Sequence, residues 1–256
     1  MTEPICSIQG LSKRYDSRDG SVVTALDSLN FDVSDGEFVA ILGPSGCGKS
    51  TLLHILAGVM SASTGQALLR GQKVRGPRRD VGVVFQDALL LPWRRVLDNV
   101  LLPAVVHGLP MGPARERATM LLDLVQLQGF SEKYPRELSG GMQQRVAIAR
   151  GLLHDPAILL MDEPFGALDA MTREQMNLDL LHIWQAARKT ILLITHSIGE
   201  AVFLADRVLV MSPRPGRIID DVPVDLPRPR ELDMMATPAF GALTRRIRSQ
   251  LGVVRQ

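Results

Sequence analysis

The sequence predicts an α/β fold: a parallel sheet covered by helices on both faces, with an antiparallel β part ahead of it and a helical insertion within it. Three observations lead there. Short, continuously apolar runs alternate with helical patterns, as strands buried on both faces require. Two longer runs of strand character precede the first of them. Between about Asp87 and Arg150 the strand signal vanishes. With 256 residues, 46% of them hydrophobic, the chain can fill a substantial core.

Taken in order, Ile5–Tyr15 and Val22–Val33 read as strands separated by the turn-rich stretch Asp16–Gly20. Glu37–Leu42 is a short apolar strand ending at Gly43, and Ser50–Ala57 carries leucines at helical spacing until Gly58 stops it. Gly65–Val74 reads as a hairpin and Val81–Phe85 as another buried strand. Ala114, Ala118, Leu121, Leu122 and Val125 then line one face of an amphipathic helix. Strand character returns at Ala157–Met161, Thr190–Ile194 and Arg207–Met211, the last leading into the Pro/Gly-rich turn Ser212–Arg217. Thr237-Pro238 starts a final helix whose stripe of Phe240, Leu243, Ile247, Leu251 and Val254 should dock it on the body.

Composition narrows the function. A net charge of only +2 argues against a nucleic-acid binder. No apolar run approaches ~18 residues, so no membrane span is expected. The N-terminal residues lack the pattern of a signal peptide, and Cys6 and Cys47 cannot form a disulfide framework, which fits a reduced, cytosolic setting. From Pro227 to Gln256, six arginines face Glu231 and Asp233, a local +4 within a total of +2 that leaves the remainder at −2. Because these arginines flank an apolar stripe, a solvated helix face explains them better than an acidic partner.

The chemistry is carried by Gly43-Pro44-Ser45-Gly46-Cys47-Gly48-Lys49-Ser50, a fit to G-x-x-x-x-G-K-[ST] between a strand and a helix. Its glycines let backbone N–H groups curl around phosphate oxygens, and the following helix adds its positive end. Lys49 is placed to reach the β- and γ-phosphates and the Ser50 hydroxyl to bind Mg2+. Downstream, the apolar strand ending in Met161 delivers Asp162 to the sheet edge for the metal-bound water, and Glu163 can polarise a water for attack on the γ-phosphate. Cys47, beside inward N–H groups, a helix start and Lys49, is expected to favour thiolate and react faster than an ordinary buried cysteine, with Cys6 inert.

A third motif, Leu138-Ser139-Gly140-Gly141-Met142-Gln143, resembles the signature of ATP-binding-cassette (ABC) ATPases, with a helix expected over Met142–Leu153. From Tyr15 to His196 the chain is similar to that family in motif order. The resemblance implies a P-loop NTPase with a RecA-like core, an N-terminal antiparallel β subdomain and a helical signature subdomain. It makes 1–256 one nucleotide-binding domain: core and β part over 1–86 and 155–215, the helical part over 87–154, a C-terminal extension over 216–256. Tyr15 then stacks on adenine, Gly43 to Ser50 with Thr51 hold ATP, and Ser50, Gln86 and Asp162 hold Mg2+. Glu163, His196 and Lys49 form the catalytic set. Ser139, Gly140, Gly141 and Met142, with Asp169 of the Ala167-Leu168-Asp169 loop, belong to the contact with a second subunit's nucleotide.

Asp87–Trp93, Asp98-Asn99-Val100, Met211–Arg217 and Asp225–Arg230 look like the nitrate/sulfonate/taurine importer branch. That branch implies a homodimer on the cytoplasmic face of the inner membrane, driving a separate permease fed by a solute-binding protein. The apolar stretch Leu90–Trp93 would then form part of a groove for the permease. A non-transport ABC ATPase or an exporter subunit is the alternative, and the transported solute is not written in this chain.

Overall fold

The computed structural model describes residues 3–16 and 21–252, so Ser17–Gly20 of the expected turn and Val254 of the expected stripe lie outside the described residues. The chain divides into two compact units, one of residues 1–78 and 190–256, the other of 79–189.

In the first unit, β1 (Cys6–Asp16) and β2 (Val22–Val33) pair antiparallel, and β1 also pairs with β4 (Thr64–Leu69), which turns into β5 (Gln72–Lys73). This is the expected antiparallel part, in the order β2-β1-β4-β5. β3 (Phe38–Leu42) runs parallel to β8 (Thr190–Thr195) on one side and β9 (Arg207–Met211) on the other. All five residues of β3 are buried, which is why its sequence is apolar without alternation. β10 (Ile218–Pro223) adds antiparallel to β9, a strand the sequence reading missed. Its Ile-Ile-Asp-Asp-Val-Pro sequence follows a turn and is largely exposed, so it lacks the apolar run that marks the inner strands.

α1 (Lys49–Leu56) ends ahead of Gly58, whose φ of +75° terminates it as expected. α7 (Ile198–Leu204) and α8 (Pro238–Gln250) complete this unit. Thr237 Oγ1 accepts from the Phe240 N–H and caps α8, while Phe240 and Ile247 are buried and Leu243 half-buried. The helix therefore docks, but the tail arginines are not all solvated. Arg230 is 4% exposed and donates from Nη1 to the carbonyls of Val202, Phe203 and Ala205. It satisfies the last carbonyls of α7, and burial brings its pKa down to about 10.

In the second unit, β6 (Val81–Val84) and β7 (Ile158–Asp162) pair parallel. Between them come α2 (Val96–Val100), α3 (Leu102–His107), α4 (Met111–Leu124) and α5 (Gly140–Leu152), and α6 (Ala170–Ala187) follows β7. Ala114, Ala118, Leu121, Leu122 and Val125 are all buried, so the predicted amphipathic face is the packing face of α4. Gly82 and Gly151 bring β6 and α5 together, since a Cβ on Gly82 would lie 2.4 Å from the Gly151 carbonyl oxygen. The ion pair of Arg145 on α5 with Asp179 on α6, at 2.5 Å, is also mostly buried.

Candidate functional site

Each unit carries one set of the residues that the sequence singled out. In the first, the chain leaves β3 at Leu42 and turns through Gly43–Gly48 into α1. Gly46 and Gly48 have φ of +76° and +103°, in the left-handed region that favours glycine. Space is also short: a Cβ on Gly48 would lie 2.6 Å from Leu26 Cδ2, and one on Gly43 would lie 2.8 Å from Cys47 Sγ. Pro44 is half-buried, and Ser45, Gly46 and Ser50 are exposed along the loop's outer side. Lys49 is buried and donates from Nζ to the carbonyls of Gly43 (2.8 Å) and Pro44 (3.1 Å), so the loop wraps its own cation.

Tyr15 and Thr51 meet at this loop's helix, with 3.2 Å between the two hydroxyl oxygens. The Tyr15 hydroxyl also approaches Met60 Sδ at 3.1 Å, and the Lys13 ammonium lies 5.3 Å from its ring centroid. The parallel register pairs Leu42 with Thr195, so Gly43 and the exposed His196 emerge side by side at the carboxyl edge of β3 and β8. His196 is framed on its C-terminal side by Ser197, whose Oγ accepts from the Glu200 N–H and caps α7. On its other side Thr195 Oγ1 accepts from the Ser197 N–H and donates to the Glu200 carboxylate.

Cys47 departs from expectation. The thiol is 1% exposed and turned inward beneath the loop, against Gly43. Burial pushes its pKa up, and the attraction of Lys49 opposes this without overcoming it. Desolvation of the thiolate wins over the favourable field, so Cys47 is not an activated nucleophile. Cys6 is 1% exposed, and burial and the charge of Asp32 push its pKa up to about 12.

In the second unit, β6 and β7 pair Val84 with Met161, and two residues further on Gln86 and Glu163 leave the same carboxyl edge. Glu163 has φ +44°, so the chain turns sharply just after Asp162, and the Gly166 N–H donates to its carbonyl at 3.0 Å. Gln86 lies against that turn: a Cβ on Gly166 would sit 3.2 Å from its Nε2. Asp162 and Glu163 are half-buried and Gln86 is exposed. The strand ends at Val84 rather than Phe85, and the Phe85 carbonyl accepts from Gln144 Nε2 at 2.9 Å.

The signature helix starts at Gly140, two residues ahead of expectation, because Ser139 is its N-cap and accepts from the Met142 N–H at 3.3 Å. Asp169 is likewise the N-cap of α6, accepting from the Thr172 N–H (3.0 Å) and hydroxyl (2.6 Å). Those bonds hold its carboxyl below the usual range. Thr172 also approaches the signature, since a Cβ on Gly141 would lie 3.0 Å from its Cγ2. The Ser139–Met142 turn and the Asp169 loop are thus one cluster joined by Thr172, a residue the sequence reading did not single out.

Two further supports were missed. Arg150 donates to the carbonyls of Ala88 (2.6 Å) and Leu89 (2.8 Å), holding the segment after Gln86. Asn99, fully buried, accepts from the Leu91 N–H and donates to the carbonyls of Leu91, Arg94 and Arg95. These ties leave Trp93 71% exposed, so it is not core.

A strand, a glycine-bounded loop around a lysine, a helix, and a second strand ending in Asp-Glu define a P-loop nucleoside triphosphatase. The ABC transporter family model matches residues 26–166. An uncharacterised ABC transporter ATP-binding protein of Methanocaldococcus jannaschii is 50% identical over 224 residues, covering 88% of this chain and 84% of that one. The taurine import ATP-binding protein TauB of Rhizobium johnstonii is 48% identical over 242 residues, covering 93% and 92%. Among solved structures, the dimeric post-hydrolysis state of the ATP-binding cassette MJ0796 with ADP and Pi superposes with TM-score 0.74 at 32% identity, over 86% of this chain and 99% of that one. The cbiO1 protein of Clostridium perfringens, part of the transporter complex cbiONQ, superposes with TM-score 0.78 at 28% identity, over 99% and 98%. The chain belongs to the ABC transporter family. It is an ATP-binding cassette subunit with ATPase activity.

Proposed function

We propose that this subunit works as a homodimer at the cytoplasmic face of the inner membrane, driving uptake of a small solute through a separate permease. The solute, in the nitrate/sulfonate/taurine range, would be delivered by a solute-binding protein. The phosphate loop of Gly43–Thr51 carries the reading, because it combines conformational and steric demands for glycine with an enclosed lysine. The taurine-import relatives support the direction of transport. No helix among the described residues is long and apolar enough to cross a membrane.

In this reading the loop N–H groups and Lys49 bind the phosphates, and Lys49 exchanges its two loop carbonyls for phosphate oxygens. The ring of Tyr15 stacks on adenine. Glu163 accepts a proton from the attacking water, and His196 holds water and γ-phosphate in register. Ser50, Gln86 and Asp162 offer hard oxygen donors, a set that suits Mg2+. Among the described residues no three His, Cys, Asp or Glu side chains cluster as a metal centre. When bound, the metal neutralises charge developing on the phosphates. Ser139 to Met142 and Asp169 close over the nucleotide of the partner subunit. The functional division into core and β part (1–86, 155–215), helical part (87–154) and extension (216–256) belongs to this proposal.

In this reading the permease docks at a groove of about 310 Å3 in the second unit, lined by Val83, Leu89, Leu102 and Val106 with His107 and His154 beside them; Leu90–Trp93 of the expected groove do not line it, though Trp93 is exposed. Leu89 and Val106 are 59% and 70% exposed, apolar surface that a membrane partner's helix would cover. The catalytic assignment is tested by ATPase assay of Glu163→Gln and Lys49→Ala. Glu163→Gln should bind ATP as the parent does with turnover nearly abolished, and Lys49→Ala should lose binding. Parental turnover in Glu163→Gln would remove Glu163 from the base position.

A further inference from the structure

We infer that Gly216, in the connection between β9 and β10, is a positioning residue that holds the phosphate loop in its binding shape from beneath. The inference rests on the reading of Gly43–Thr51 as the phosphate site. Gly216 is not in the left-handed region, so the turn itself does not require glycine there. Space does. A Cβ would lie 2.1 Å from the Cys47 carbonyl oxygen and 2.7 Å from Met211 Cε. The backbone of Gly216 is tied down on its other side: its N–H donates to the Ala25 carbonyl (2.9 Å), and its own carbonyl accepts from the Asp27 N–H (3.0 Å). Arg217 Nε adds a bond of 2.9 Å to Asp27 Oδ2.

The Cys47 carbonyl and the Gly48 N–H belong to one planar trans peptide, so they point in opposite directions. Fixing the oxygen against Gly216 aims the N–H outward, toward where a phosphate is held. The neighbouring contacts share this arrangement. Gly48 rests on Ala25 and Leu26, and Gly43 on Met211, where a Cβ would come within 3.0 Å of Met211 Cβ. The loop is therefore supported at three points, by Met211 at the end of β9, by Gly216 in the connection after it and by Ala25 and Leu26 within β2, and Gly216 is the point that touches a loop carbonyl.

The test is Gly216→Ala, measured beside Lys49→Ala. A displaced peptide should raise KM for ATP about tenfold or more, while kcat at saturating ATP falls less than about threefold and circular dichroism stays parental. Folded protein with parental KM and a lowered kcat would overturn the inference. Adding Met211→Ala to Gly216→Ala relieves the Met211 contact but not the carbonyl one, so the high KM should persist. Its restoration would overturn the inference in favour of simple crowding. If Lys49→Ala keeps parental affinity, the phosphate-site reading fails; if it loses affinity and Gly216→Ala does not, only the positioning role fails. Should Gly216→Ala not fold, hydrogen exchange on the parent decides: ATP should slow exchange of the Gly216 and Asp27 amides, and unchanged rates would overturn the inference.

Discussion

At the scale of single residues, two roles of Tyr15 can be separated. In the proposed function its ring stacks on adenine, while its hydroxyl bonds Thr51 at the start of α1. Tyr15→Ala should weaken ATP binding by about 1–2 kcal/mol, the size of one base–aromatic stack. Tyr15→Phe loses only a partly exposed hydrogen bond and should cost under about 1 kcal/mol. Isothermal titration of both variants checks this, and equal losses would assign the effect to the hydroxyl. Cys6 supplies a pH test. Its pKa rises from the ordinary 9.0 to about 12 in the folded chain, so the folded state holds the proton more tightly than the unfolded state. Its contribution is complete below pH 9 and is lost as pH rises toward 12. Denaturant titrations across that range should show stability falling with pH, and Cys6→Ala should flatten the slope. Cys47 was the residue that the sequence misplaced. Its neighbours in the chain are those of an activated thiol, but which side of the loop the thiol faces depends on Gly43 and on strands distant in sequence.

At the scale of elements, the phosphate loop was legible because phosphate binding itself demands glycine and lysine at fixed spacing. The inner strands were legible because burial on both faces leaves an apolar run, as in β3 and β8. β10 was not, since an edge strand with two adjacent aspartates gives no such run. The start of α5 was misread because two glycines are poor helix formers. Ser139 as N-cap and the close packing of Gly141 on Thr172 override that propensity. The helices of the second unit make a further prediction. Arg145 and Asp179 are 17% and 6% exposed, so removing one partner strands a charge in the interior. Asp179→Ala should cost about 3–5 kcal/mol by chemical denaturation. Arg145→Leu with Asp179→Leu should recover much of that loss, and a double variant no better than the single would indicate that the helices need the charges themselves.

At the scale of the whole molecule, the proposed function needs two separate surfaces, one for each kind of partner. Trp93 stays exposed although Asn99 pins the segment around it, an arrangement that serves contact better than core packing. Trp93→Ala should leave basal ATPase and melting temperature near parental while lowering ATPase stimulated by the permease. A fall in basal activity with folding would return Trp93 to a structural role. The other surface is the Ser139–Met142 cluster with Asp169, which in this account faces a second copy across ATP. That is the central claim, and sedimentation of Glu163→Gln tests it most directly. With Mg-ATP the variant should sediment as a dimer of the 28.0 kDa chain, and without nucleotide, or with Ser139→Arg added, as a monomer. A single monomeric species at saturating ATP, with nucleotide binding intact, would contradict it.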